Sequence, residues 1–334
     1  MSRNFVGVGT EVVVRILLAR PRGFCAGVEM AIESLDRALA LFGTPIYAFH
    51  QIVHNQTLVR EFRERGVVFV DDLCDVPFGA TVVFSAHGVA PRVRELAEQR
   101  GLRVIDATCP LVHKVHAEAR RFARNDNDII LIGHHGHDET VGVAGEATDR
   151  IRVVATEEEI QRVEVGHPDK VAYLTQTTLS VDETRHLVAA LQQRFPAAVG
   201  PAKEDICYAT QNRQEAVKAL AGEADLALVI GSRNSSNSLR LVDVARDSGI
   251  PARLIDGSEQ LEPSWFENVE VVLLTAGASV PERLVGATIE WLERHFGAVV
   301  EERRIAEETL RFQLPIAVRT SDLEAVAAHA TLRG

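Results

Sequence analysis

Three cysteines, Cys25, Cys109 and Cys207, each open a stretch of chain built on one plan. A helix-like run follows each of them: CAGVEMAIESL, CPLVHKVHAEARR and CYATQNRQEAVKAL. Two polar clusters then come at nearly matched distances, first at His54, His137 and Ser235, then at His87, Thr177 and Ser279. A fold repeated three times can aim three cysteines at one centre. Three thiolates suit soft metals, and iron–sulfur clusters are normally held by cysteine. Three ligands on a four-iron cluster leave one iron without a protein thiolate, and an open metal position acts as a Lewis acid on a substrate oxygen. A zinc ion with three cysteines and a water fits the same count but gives no reason for the polar ring.

Taken singly, each cysteine reads as an ordinary buried side chain. Equivalent placement at the head of three repeats is harder to assign to packing, which would accept Ala or Val. Cys74, in DDLCDVP, falls outside the repeat and is the ordinary cysteine. The chain has no C-x-x-C, and in a reducing compartment cysteines are metal ligands or catalysts more often than disulfides.

The polar clusters are rich in donors: His54 in HQIVHN, His87 in FSAHGV, His137 in GHHGHDE, Thr177 and Thr178 in LTQTTLS, Ser235, Ser236 and Asn237 in GSRNSSNS, and Ser279 in TAGAS. A lone strand-end histidine usually satisfies a loop backbone, and Ser or Asn before a helix usually caps it. Capping and anion binding use the same exposed amides, so both readings can hold. A hydrogen bond to a charged group contributes about 1.5–3 kcal/mol, so together these groups suit a diphosphate, beside which histidines should favour their protonated form. Glu139, two residues beyond His137, reads by itself as a solvated surface acid, but a loop shared with a proposed ligand favours acid–base work. HHGHDE as a histidine-rich metal site matches no zinc spacing.

These residues need a scaffold that delivers them to one place. Short β-branched runs alternate with helical periods, which argues for α/β units with mostly parallel strands buried on both faces. Strands are expected at Ile46–Phe49, Val67–Val70, Thr81–Phe84 and Arg103–Ile105, then Ile129–Ile132, Ile151–Val154 and Val171–Leu174, then Leu226–Ile230, Ala252–Ile255, Val271–Leu274 and Ala298–Val300. Both clusters of every unit fall just after a strand, where open α/β sheets bind ligands. With 334 residues the chain exceeds one ordinary core. The repeat divides it into three α/β domains, 1–107, 108–204 and 205–311, with a packing tail over 312–334 that shows a weak helical period after Ser321.

Composition narrows the partners. A net charge of −11 argues against nonspecific nucleic-acid binding, which needs a basic face. No tract offers a long uncharged apolar run, so no membrane partner is expected. The run EVVVRILLARP is broken by Arg15 and lacks a small-residue cleavage site, so it reads as a buried strand in a cytoplasmic protein.

RGFCAGVEMAIE, HQIVHN, FSAHGV, DATCPLVHKVH, IGHHGHDE, LTQTTLSVDET, DICYATQNRQEAV, GSRNSSNS and TAGAS, in that order from about Ile16 to Pro315, closely resemble the LytB family of 4-hydroxy-3-methylbut-2-enyl diphosphate reductases. The resemblance implies three similar α/β domains in pseudo-threefold arrangement around a central 4Fe-4S cluster. It implies Cys25, Cys109 and Cys207 as cluster ligands. The diphosphate contacts would be His54, His87, His137, Ser235, Ser236, Asn237 and Ser279, with Thr177 on the substrate hydroxyl and Glu139 leading the proton relay. The implied reaction removes an allylic hydroxyl with two electrons and two protons, giving isopentenyl and dimethylallyl diphosphates, with ferredoxin or flavodoxin as electron donor. Two positions depart from the family pattern: His135, where a small residue is common, and Asp138, where proline is usual.

Two rival readings differ in class. A cluster-dependent dehydratase or condensing enzyme, like quinolinate synthase, would need carboxylate-binding residues instead of the hydroxyl-rich GSRNSSNS loop. An iron–sulfur redox sensor explains the cysteines alone and leaves the polar clusters without a role.

Overall fold

The computed structural model describes residues 14–319. The first apolar run forms β1 (Arg15–Arg20), whose four central residues are buried. Next come α1 (Ala26–Phe42), β2 (Ile46–Phe49), α2 (Gln56–Glu64), β3 (Val67–Val70), β4 (Thr81–Phe84), α3 (Pro91–Gln99) and β5 (Arg103–Asp106). A second run holds α4 (Pro110–Arg124), β6 (Asp128–Ile132), α5 (Asp138–Ala144), β7 (Ile151–Val154), α6 (Glu157–Arg162), β8 (Val171–Thr175) and α7 (Val181–Arg194). The third holds α8 (Tyr208–Ala221), β9 (Leu226–Ile230), α9 (Ser236–Asp247), β10 (Ala252–Ile255), β11 (Val271–Ala276), α10 (Glu282–Phe296) and β12 (Val299–Arg304).

The strands form three sheets, ordered β3-β2-β4-β5, β7-β6-β8 and β10-β9-β11-β1-β12, and all their pairings are parallel. Parallel strands need both faces covered, and each sheet carries an apolar cluster on either side. In the third sheet, Ile16, Leu228 and Leu274 pack on one face and Leu17, Val229 and Leu273 on the other. The same core motif, with the first strand of the unit between the second and third, recurs as β3-β2-β4, β7-β6-β8 and β10-β9-β11.

Two sequence expectations need correction. Strand β1 lies within the span 1–107 expected for the first unit, yet its backbone pairs with β11 and β12 in the third sheet. There it sits beside β11 as β5 sits beside β4, so the chain start supplies the third sheet with the strand that the first sheet makes for itself. Strand β12 also runs four residues past the expected end at Val300, through the charged Glu301–Arg304. An edge strand can be polar, and here Glu302 pairs with Arg20 at 3.0 Å and Arg22 at 3.1 Å while Arg303 pairs with Glu223 at 2.8 Å. The described part of the tail does pack: Val318 is fully buried in the core of the first sheet, with Leu314 and Ala317 against it. The helical period after Ser321 lies outside the described residues.

Candidate active site

Cys25, Cys109 and Cys207 are the N-caps of α1, α4 and α8. Each follows the fourth-position strand of the preceding sheet or its remnant: β1 before Cys25, β5 before Cys109, and before Cys207 the single bridge Val199–Ala172. Each amide then donates to a carbonyl in the second polar loop of that preceding unit: Cys25 to Ala278 at 3.3 Å, Cys109 to Ala86 at 3.0 Å and Cys207 to Thr177 at 3.0 Å. One contact, made three times, puts all three thiols at the wall of a single cavity of about 90 Å³. His54, His87, His137, Glu139, Thr177, Thr178, Ser235, Ser236, Asn237 and Ser279 line the same cavity. Cys74 is exposed and lies outside it.

The thiols suit a metal centre. A Cβ at position 27 would stand 2.6 Å from the Cys109 sulfur, so glycine there is what leaves that sulfur its room. Burial, reinforced by the charge of Cys25, pushes the Cys109 thiol up to about 12 and the Cys207 thiol up to about 11. At neutral pH a cation bound beside Cys109 and Cys207 would favour their thiolate forms against this burial. Helix N-termini favour such thiolates, and Thr210 adds to the effect. Its amide lies 3.4 Å from Cys207 Sγ, and its hydroxyl lies 3.2 Å from that sulfur while accepting from Asn237 Nδ2 at 3.4 Å.

The polar wall is an array of neutral donors. His54 and His87 are stacked at 3.9 Å, and His137 stands edge-on to both. Burial lowers the pKa of all three, His137 to about 4, so at neutral pH the free protein favours the uncharged rings. The protonated form expected beside a phosphate is therefore something the ligand must induce. The amide of Glu139 donates to His137 Nδ1 at 3.1 Å, which leaves the ring proton on Nε2. Asn234 Nδ2 approaches His54 Nδ1 at 3.4 Å, and His54 Nε2 is buried without a partner. An unpaired buried donor costs about 1–3 kcal/mol, and a ligand oxygen would relieve it. His54, His87 and Asp138 also bring one donor atom each within 4.8 Å of one another. Two near-parallel rings hold their lone pairs in separate planes, however, so these histidines cannot converge on one ion. Asp138 instead accepts from His50 at 2.7 Å and raises the His50 pKa.

The GSRNSSNS loop caps α9 and turns Ser235, Ser236 and Asn237 toward the cavity. Ser235 caps α9 by accepting from the Ser238 amide at 3.3 Å and from the Ser238 hydroxyl at 3.0 Å, which leaves its own proton free to donate. Asn237 accepts from the Ala278 amide at 2.9 Å. Ser236 donates to the Thr178 carbonyl at 3.3 Å and Ser279 to the His54 carbonyl at 2.8 Å, so these two hydroxyls must turn before they can meet a ligand.

Glu139 is 2% exposed and sits in the first turn of α5. It accepts from the Thr177 amide at 2.7 Å and the Thr177 hydroxyl at 2.9 Å. Burial outweighs these two bonds and raises its carboxyl pKa to about 7. A carboxyl poised at neutral pH, bonded to a hydroxyl on a wall shared with three thiols, is equipped to pass a proton.

Sequence reasoning did not anticipate Thr210 or the His50–Asp138 pair. The C-x-x-T spacing at Cys207 was the available signal for Thr210, since an N-cap side chain meets the third residue of its helix.

The model of the family described as LytB protein matches residues 16–293. The chain belongs to the LytB family. The chain is 54% identical over 321 residues to the 4-hydroxy-3-methylbut-2-enyl diphosphate reductase of Nocardia farcinica, covering 96% of each chain. It is 51% identical to that of Rhodopirellula baltica, over 94% of this chain and 99% of the relative. The solved E-1-hydroxy-2-methyl-but-2-enyl-4-diphosphate reductase of Plasmodium falciparum superposes with a TM-score of 0.88 at 35% identity, covering 95% of this chain and 99% of its own. A second solved structure, described as the terminal enzyme of the non-mevalonate pathway, gives a TM-score of 0.60 at 31% identity over 84% of this chain and all of its own.

Proposed function

We propose that this protein is a 4-hydroxy-3-methylbut-2-enyl diphosphate reductase. It takes two electrons and two protons, releases the allylic hydroxyl as water, and yields isopentenyl or dimethylallyl diphosphate, the last step of the methylerythritol phosphate (non-mevalonate) pathway. The observation that carries this reading is the cavity itself, where three N-cap cysteines from three successive junctions meet a histidine and hydroxyl wall and a carboxyl with a pKa near 7. Full-length relatives named for this reaction support it.

Cys25, Cys109 and Cys207 would hold a 4Fe-4S cluster, which when bound supplies electrons and an iron free to polarise the hydroxyl. The diphosphate is taken by the Nε2–H groups of His54 and His137, by His87, Thr178, Ser236, Asn237 and Ser279, and by the free proton of Ser235. Its charge draws protons onto the histidines, reversing the effect of burial. Glu139 in its protonated form donates to Thr177, which reverses their bond and frees the Thr177 hydroxyl to donate to the substrate hydroxyl. The burial of Glu139 keeps bulk water from short-circuiting that transfer.

The same reading makes the molecule three α/β units in pseudo-threefold arrangement about the cluster, with β1 given to the third unit, boundaries near 108 and 205, and a tail from 312. Electrons would come from a ferredoxin or flavodoxin in the cytoplasm. No described helix is long and apolar enough to cross a membrane. The test is anaerobic purification with iron and sulfide counted in wild type, C109S and C74S. C109S should lose iron and C74S should keep it; the reverse pattern would sink the ligand assignment.

A further inference from the structure

The largest fully buried side chain among the described residues is a cation, Arg213. It lies on α8, the helix that Cys207 caps. Its Nη1 donates to the Ala209 carbonyl at 2.8 Å and to Glu308 Oε1 at 3.0 Å. Its Nη2 donates to the Gly23 carbonyl at 2.7 Å, the Phe24 carbonyl at 3.4 Å and Glu308 Oε2 at 3.4 Å. Glu308, on the irregular segment after β12, also accepts from Asn212 at 3.0 Å. Buried ion pairs are weak devices for stability, since apolar residues of similar volume often do as well. The placement of this pair is more informative. Gly23 and Phe24 are the two residues before Cys25, so one guanidinium ties the backbone entering one cysteine to the helix leaving another.

We propose that Arg213 and Glu308 are a positioning pair that fixes Cys25 relative to Cys207 and sets the reduction potential of the cluster these cysteines hold. The proposal rests on the cluster reading given above. Fixed charges and hydrogen bonds behind the ligands tune cluster potentials. A cation there stabilises the reduced, more negative state and an anion opposes it, so the two halves of the pair act in opposite directions.

The experiment is a redox titration of iron-loaded wild type, E308Q, R213K and R213M, followed by electron paramagnetic resonance, with iron and sulfide counted in each. Unmasking Arg213 in E308Q should move the midpoint potential to a more positive value. R213M should move it to a more negative one, and R213K, which keeps the charge, should stay nearer wild type than R213M. Shifts of the same sign in E308Q and R213M, or no shift in E308Q, would overturn the proposal. If R213M fails to hold iron, E308Q decides alone, because it keeps the shape and removes only the charge. A wild type that binds neither iron nor sulfide would instead sink the cluster reading, and this pair's role with it.

Discussion

Thr177 donates to Glu139 twice, from its amide to Oε1 at 2.7 Å and from its hydroxyl to Oε2 at 2.9 Å. The two residues follow neighbouring parallel strands, β6 and β8, so the sheet holds the carboxyl and the hydroxyl in fixed relation. Burial sets the carboxyl pKa at about 7, and the two bonds keep it from rising further.

Turnover should therefore fall as pH rises through about 7, because the proton-donating form of Glu139 is lost there. E139Q should keep diphosphate binding and lose turnover by roughly 10²–10⁴-fold, the usual contribution of a positioned acid. Steady-state rates from pH 6 to 9 check both; a wild-type limb that survives in E139Q would belong to another group.

The same shift has a stability consequence. The folded pKa of Glu139 lies above its ordinary value of 4.5, so its contribution is fully present below pH 4.5 and is lost as pH rises to about 7. E139Q has no such loss, and its stability relative to wild type should improve between pH 5 and pH 8 by about 1–3 kcal/mol. Thermal midpoints of both proteins at the two pH values test this, and a constant difference would contradict it.

Alanine at position 27 favours the helix by propensity but sets a methyl 2.6 Å from the Cys109 sulfur. G27A should keep its far-ultraviolet circular dichroism and lose much of its iron. Full iron content would mean that the sulfur has more freedom than the packing allows.

Ser235 is both a cap and a proposed diphosphate donor. S235A should cost about 1 kcal/mol of stability from the lost cap. It should also weaken binding of inorganic diphosphate by roughly 10–100-fold, the worth of one hydrogen bond to a charge. A lower melting temperature with an unchanged dissociation constant would return the residue to capping alone.

The local plan was legible from the chain. The runs after Cys25, Cys109 and Cys207 are helices, and every polar cluster follows a strand, because periodicity and strand-end polarity are short-range signals. Partnership was not. Nothing in RILLAR says that it pairs with Val271–Leu274, since parallel pairing is settled between segments far apart in sequence. Glu301–Arg304 carries no apolar period because an edge strand can be held by backbone pairing and ion pairs alone. Arg213 reads as a solvated charge on a helix until Glu308, Gly23 and Phe24 are seen around it. The neutral state of the histidines was hidden for the same reason, since burial is a tertiary property.

The activity proposed for this cavity is the reductive loss of an allylic hydroxyl. Its most direct test is product analysis after anaerobic, iron-loaded protein meets 4-hydroxy-3-methylbut-2-enyl diphosphate and a reduced low-potential donor, with E139Q alongside. Wild type should give isopentenyl and dimethylallyl diphosphates, and E139Q almost none. Intact substrate after incubation with fully loaded wild type, or equal product from E139Q, would contradict it.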